Sequence, residues 1–169
     1  MSVSVNSIYF GLGSNLGNRL QNLREAVRML ESFGHVVKAS NVYATAPWGG
    51  VPQPEYLNAC VKIEIESEKR FDPHEILRRV KDFERELGRV ESVRWGARKI
   101  DIDILIIDGV KIKSPELTVP HMRIPERMFV LVPLGEILPQ EWTHPENGLT
   151  ISEMISRLDD DIPLRITAL

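Results

Sequence analysis

Two hydrophobic periods alternate along the chain. Ser7 to Gly13 is a short β-rich run ending in glycine, and it predicts a first strand. Leu20, Leu23, Ala26, Val27, Leu30 and Phe33 then recur at spacings of three and four, the mark of an amphipathic helix, with Gly34 as its expected end. From His35 to Thr45 β-branched and aromatic residues return. Ala46 to Pro54 packs three prolines and two glycines into nine residues and reads as a loop.

From about Tyr56 to Glu66, Val61, Ile63 and Ile65 alternate with Lys62, Glu64 and Glu66. This predicts a strand with one face on a core and the other in water. Asp72 as N-cap, Pro73 at the first helical position and Glu75 at the third open a second helix, which carries Ile76, Leu77, Val80, Phe83 and Leu87 and stops at Gly88. Lys99 to Ile107 predicts another strand, and Asp108-Gly109 a hairpin turn into Val110 to Lys113. The order βαββαβ implies an α+β fold with a ferredoxin-like core, an antiparallel sheet with both helices on one face. Beyond it, prolines 115, 120, 125 and 133 predict loops, with short helices near Glu126 to Leu131 and Ile151 to Leu158.

Composition adds bounds to this picture. A chain of 169 residues, 43% hydrophobic and 27% charged, is expected to fold as a single domain over residues 1–169. A net charge of -3 gives no general reason to expect nucleic acid as a partner. The single Cys60 lies in an apolar run and reads as a buried thiol in a reducing compartment. No signal-like N-terminus and no long apolar stretch stand out, so a cytoplasmic protein without a membrane partner is expected.

The candidate chemistry lies near residue 100. Asp101 and Asp103 stand two apart on a strand and share one face, with α-carbons roughly 6–7 Å apart and isoleucines on the other face. Two adjacent carboxylates raise each other's pKa and suit a place where cations sit between them; the alternative is a strand face turned to water. Just before them, Arg89, Arg94, Arg98 and Lys99 stand against one acid, Glu91. Cations beside a carboxylate pair point to a polyanion, with arginine forks suited to phosphate oxygens. Mg²⁺ is the metal expected, because it takes one or two carboxylates together with phosphates and water.

The stretch Arg94 to Leu105, ArgTrpGlyAlaArgLysIleAspIleAspIleLeu, resembles the signature of the 6-hydroxymethyl-7,8-dihydropterin pyrophosphokinases of folate biosynthesis. The resemblance extends through residues 11–17, 43–49, 56–59 and 117–121, then Arg127 and Phe129. It implies a ferredoxin-like fold and an ATP-dependent diphosphokinase that passes pyrophosphate to the pterin hydroxymethyl group, with ATP and the dihydropterin as its small-molecule substrates. Asp101 and Asp103 would bind two magnesium ions. Arg89, Arg94 and Arg98 would belong to a mobile loop over the phosphates, and Arg98, His121 and Arg127 would meet the nucleotide. Thr45, Trp48, Tyr56, Asn58, Trp95 and Phe129 would form the pterin pocket. Taken singly, Tyr56 and Phe129 read as core aromatics and His121 as a surface histidine. Glu84 falls near the family's acidic position in the nucleotide pocket and equally suits an exposed helix charge. Met122 stands where relatives commonly carry an aromatic residue.

Competing classes leave weaker traces. Gly11, Gly13 and Gly17 lack dinucleotide-fingerprint spacing, and no P-loop occurs. A metal-dependent nucleotidyltransferase or nuclease would also use paired carboxylates, but usually with a third acid. A non-enzymatic ferredoxin-like RNA reader would carry basic and aromatic residues on its central strands, where this chain carries two aspartates.

Overall fold

A computed structural model of the chain describes residues 6–47, 50, 52–66, 68–90 and 97–169. Among these, a six-stranded antiparallel sheet forms the centre. Strand β1 (Ser7–Ser14) is held between β5 (Asp101–Ile107) and β4 (Tyr56–Ile65). The other side of β4 pairs with one bent run, β2 (Gly34–Ala39) and β3 (Asn41–Thr45), and β8 (Leu164–Ala168) pairs with β3. The bend falls at Ser40, which donates its N–H to the Cys60 carbonyl at 2.9 Å while its hydroxyl accepts from Cys60 N–H at 2.8 Å. Pairing therefore continues across the kink.

Helices α1 (Arg19–Leu30) and α2 (Pro73–Glu86) cover one face, as the periodicity predicts. Leu23, Ala26, Leu30, Ile76 and Val80 pack there on Ile8, Phe10, Leu12, Val61 and Ile63. Asp72 caps α2, accepting from the N–H groups of His74 and Glu75. The fold is thus the expected α+β, ferredoxin-like arrangement. No helix of the described residues is long and apolar enough to cross a membrane.

Several local expectations need correction. The far face of β4 meets water only toward its end, where Lys62 is half-buried and Glu64 exposed; around Cys60, α3 (Met128–Ile137) and α4 (Ile151–Ser156) build a second core, with Tyr9, Cys60, Leu105 and Ile106 packed on Val130, Leu131, Leu134 and Met154. Helix α3 runs through Pro133 and well past the predicted Leu131. Its stretch Met128 to Leu134 has no polar position, so it shows no period and is buried on most sides. The last helix stops at Ser156, short of Leu158. The turn at Asp108-Gly109 does not make a hairpin with β5: β6 (Ile112–Lys113) pairs instead with β7 (Thr118–Val119) in a separate small sheet.

The isoleucines of β5 do not all fill one face. Ile102 and Ile104 enter the helix-side core, but the register to β1 slips at Leu105, and Leu105 and Ile106 both turn to the second core. Leu105 stands outside the β1 pairing, and its carbonyl accepts from His121 N–H at 2.8 Å. This bulge anchors the His121 loop.

Gly34 does not end α1, which stops at Leu30. It opens β2, where a Cβ would fall on the Glu64 carbonyl of β4. Here glycine provides close backbone approach. We expect Gly34→Ala to cost about 2–3 kcal/mol by overpacking and to lower the thermal midpoint by roughly 5–10 °C. An unchanged melting curve by circular dichroism would contradict so close a pairing.

Candidate active site

The register of β1 sets out the site. Gly13 lies opposite Asp101 on one side and Asn58 on the other, and Gly11 lies opposite Asp103 and Cys60. These two rows cross three strands spaced at about 4.8 Å, with no side chain in the middle. A Cβ on Gly13 would come to 3.0 Å from Asn58 Oδ1, and one on Gly11 to 3.2 Å from Leu105 Cδ1. The result is a bare floor with carboxylates along one wall and an amide along the other.

Above the floor opens a cleft of about 890 Å³, solvent at its mouth included. Thr45, Ala46, Tyr56 and Asn58 line one side; Asp101, Asp103, Arg98 and His121 line the other, with Arg127, Phe129 and Val130 from the start of α3. Asn58 is buried and donates to Thr45 Oγ1 at 2.6 Å. The Arg127 guanidinium lies 5.5 Å from the Phe129 ring centre.

Charge at the carboxylate wall is unevenly shared. Asp101 Oδ1 accepts from both Arg89 and Arg98 at 3.0 Å, whereas Asp103 meets Arg127 only at 3.7 Å. Burial pushes the Asp101 carboxyl up, but Arg98, Arg89 and Lys81 outweigh it and hold the group below the usual range. Asp103, pushed up by burial and then by the Asp101 charge, rises to about 7.

Arg89 reaches the site through the turn that ends α2. Gly88, at φ +88, donates to Arg85 O, and Arg89 N–H returns to Glu84 O at 2.9 Å. Glu84 is not an exposed helix charge. It is 1% exposed, and its carboxylate accepts from Ile102 N–H at 2.8 Å, from Lys81 at 3.1 Å and from Arg89 at 2.5 Å. It lies behind the cleft wall as a support for Arg89 and the β5 edge.

His121 is held neutral: burial, then Arg127 and Arg123, lower it to about 4. Its Nδ1 accepts from Arg123 N–H at 3.2 Å, which puts the ring proton on Nε2 as a donor. A second cleft of about 670 Å³, open solvent included, runs along the β5 edge, lined by Leu77, Ile104 and Leu117 together with Lys81, Glu116 and Met122. Asp103 and His121 border both clefts.

Of the residues singled out in the sequence, Thr45, Tyr56, Asn58, Arg98, Asp101, Asp103, His121, Arg127 and Phe129 meet in the first cleft, and Arg89 joins through Asp101. Trp48, Arg94 and Trp95 lie outside the described residues. Sequence reasoning left unassigned the glycine floor, Lys81 and the walls of the second cleft. The glycines were visible as a motif, and Lys81 and Leu77 as one helix face, but only the register joins them to the aspartates.

Residues 9–139 match the model of the 7,8-dihydro-6-hydroxymethylpterin-pyrophosphokinase (HPPK) family. The chain belongs to this family. A 2-amino-4-hydroxy-6-hydroxymethyldihydropteridine pyrophosphokinase of Methylorubrum extorquens is 41% identical over 153 residues, covering 89% of this chain and 92% of its own. The mitochondrial folate synthesis bifunctional protein of Pisum sativum is 40% identical over 132 residues; the match takes in 78% of this chain but only 25% of that longer one. The crystal structure of Plasmodium falciparum HPPK-DHPS with pteroate shares the fold, with a TM-score of 0.68 at 16% identity, over 90% of this chain and 42% of that one. The pyrophosphokinase signature and the ferredoxin-like core read from the sequence thus fall in one family.

The two aspartates should respond differently to neutral replacement without metal. Between the ordinary carboxyl value of 3.8 and about 7 the folded chain holds the Asp103 proton and the unfolded chain does not, so this group's contribution to stability falls as pH rises across that window. Asp103→Asn should therefore raise the melting temperature at pH 8 by a few degrees, with the gain vanishing toward pH 4. Asp101 acts in the opposite sense, contributing stability above its unfolded value that is lost in acid. Asp101→Asn should lower the melting temperature at pH 8, since it takes the carboxylate from Arg98 and leaves Arg89 with Glu84 alone. Scanning calorimetry in a chelator tests both, and the same sign in both variants would contradict the uneven charge sharing.

Proposed function

We propose that this chain transfers the pyrophosphoryl group of ATP to the hydroxymethyl oxygen of 6-hydroxymethyl-7,8-dihydropterin in folate synthesis, acting as a single domain over residues 1–169. The products are AMP and the pterin diphosphate. The observation that carries the reading is the position of Asp103 and His121 on the border of both clefts. One cleft, with its amide and aromatic walls, suits a flat polar heterocycle; the other, along a strand edge, sets Leu77, Ile104 and Leu117 among Lys81, Glu116, Thr118 and His121, a mixed lining that suits a nucleobase with polar edges. Substrates placed so would meet at the carboxylates.

The hydroxyl oxygen attacks the β-phosphorus, its proton passing to solvent, and the bond from that phosphorus to the α,β-bridging oxygen breaks, releasing AMP. Asn58, Thr45, Tyr56 and Phe129 would orient the pterin so that its hydroxymethyl arm points at the aspartate wall. Arg98 and Arg89, already facing Asp101, would take phosphate oxygens and stabilise charge in transit. His121, neutral, would donate from Nε2 to a phosphate oxygen, and Arg127 would add charge from the α3 side. Glu84 would serve ATP through Arg89 rather than by direct contact.

The donor set suits magnesium. Asp101 and Asp103 offer only oxygen ligands, Asp103 has a single, looser ion pair to Arg127 at 3.7 Å, and no group of three or more His, Cys, Asp or Glu gathers among the described residues. A metal here would draw the rest of its ligands from phosphate and water, as Mg²⁺ usually does. Bound magnesium would lower the hydroxyl pKa and neutralise the bridging oxygens. Two such ions, held by the aspartates, complete the reading. Cys60, a free buried thiol, suits the reducing cytoplasm.

With ATP, Mg²⁺ and the dihydropterin, ³¹P NMR should show AMP and a pterin diphosphate; ADP with a pterin monophosphate would overturn the reaction. Arg98→Ala should lower kcat by about 10²–10³-fold while the KM for ATP changes far less. A loss confined to KM in steady-state kinetics would make Arg98 a ground-state binding residue.

A further inference from the structure

Arg98 belongs to no helix or strand: residues 97–100 precede β5, and no ladder fixes them. One residue grips its peptide from both sides. Asn15 Oδ1 accepts from Arg98 N–H at 2.7 Å, and Asn15 N–H donates to Arg98 O at 3.1 Å. The same side chain donates from Nδ2 to Gln53 Oε1 at 2.9 Å and to Pro54 O at 3.1 Å, in the loop that leads into Tyr56. Asn15 is 1% exposed. Its two donor hydrogens and its oxygen are all engaged, and an amide is the group of this size that can donate twice and accept at once.

A helix-capping role does not account for it, because Asn18 fills that position in α1. Nor does the entry of the chain into β5 depend on it. Ser14 Oγ and Asn22 Nδ2 hold the next carbonyl, Lys99 O, at 2.5 and 3.1 Å. What Asn15 alone supplies among these contacts is the orientation of the Arg98 peptide, and its link to the loop beside the pterin wall.

We propose that Asn15 is a positioning residue for pyrophosphoryl transfer: it sets the Arg98 guanidinium against the Asp101 carboxylate and ties that setting to the Gln53-Pro54 loop. The proposal rests on the function proposed above. Asn15→Ala removes both side-chain links and keeps only the backbone bond from Asn15 N–H to Arg98 O; Asn15→Asp keeps the acceptor for Arg98 N–H but turns an oxygen toward the Pro54 and Gln53 oxygens, breaking the loop link alone. Gln53→Leu removes one acceptor on the loop side and leaves Asn15 intact.

Three readouts on the full chain separate positioning from plain stability. Hydrogen exchange at the Arg98 amide should quicken about tenfold or more in Asn15→Ala and stay near wild type in Asn15→Asp. Turnover per folded molecule should fall ~100-fold in Asn15→Ala and clearly, though less, in Asn15→Asp and Gln53→Leu, with the KM for ATP little moved. In an Arg98→Ala background the Asn15→Ala change should cost less than about threefold, because residues acting through one another are not additive. Full additivity, or lower melting temperature with unchanged turnover, would overturn the proposal; wild-type turnover in both Asn15→Asp and Gln53→Leu would overturn the loop link. Should Asn15→Ala fail to fold, Asn15→Asp and Gln53→Leu decide the matter by the same kinetics and cycle. If the wild-type chain made no AMP, the reaction would fail on its own account, while amide exchange and calorimetric binding of a nonhydrolysable Mg·ATP analogue would still test the clamp.

Discussion

Everything around the cleft answers to one electrostatic requirement, that two carboxylates on a single strand face need positive charge close by. The chain meets it unequally. Asp101 takes two arginines on one oxygen, while Asp103 has one looser ion pair to Arg127 and a raised pKa. The arginines are anchored in turn, since a mobile cation would neutralise poorly. Arg89 rests on the buried Glu84, which also receives Lys81 and the Ile102 N–H. A buried acid left unpaired is strongly unfavourable, so Glu84 enforces its own partners and fixes α2 to β5. The network then reads from helix to strand as Glu84, Arg89, Asp101 and Arg98, four groups of alternating sign.

Geometry of that precision depends on the β1 register. A strand that carried ordinary side chains at positions 11 and 13 would fill the space between Asp101 and Asn58. Glycines at both positions, with Ile8, Phe10 and Leu12 packed into the helix-side core, let one strand be a core element on one face and a floor on the other. The second core supplies the roof, because α3 brings Arg127 and Phe129 over the floor while Leu131 and Leu134 bury its underside.

Much of this was legible in the sequence where local chemistry is strong. The Asp72 cap, the amphipathic stretches and the Asp101-Asp103 pair each announce themselves within a few residues. What escaped depends on partners far along the chain. The run Met128 to Leu134 has no period because it is covered on most sides, and Pro133 suggested a break that packing overrides. Gly34 looked like a helix stop because nothing local records the Glu64 carbonyl it must admit. Glu84 looked free to face water because its partners, Arg89 and the Ile102 N–H, gather only on folding. Asn15 was part of a motif without a role, since its bonds span 83 residues to Arg98.

The bulge at Leu105 bears on how the gene can vary. Ahead of it β5 alternates carboxylate and isoleucine; at it two residues in a row face the second core, and Ile107 returns to the first. A strand with period two tolerates no odd change in length without turning its faces over, and leaving residue 105 out of the ladder is what lets β5 carry one residue more than its β1 partner while Asp101 to Ile104 and Ile106 to Ile107 stay in phase with β1. Losing the codon for Leu105 would close the ladder with Ile104 and Ile106 still opposite Phe10 and Tyr9. The cost would fall on His121, whose N–H would lose the Leu105 carbonyl, whereas a deletion at Ile102 would make Asp101 and Asp103 neighbours and turn them to opposite faces of the strand.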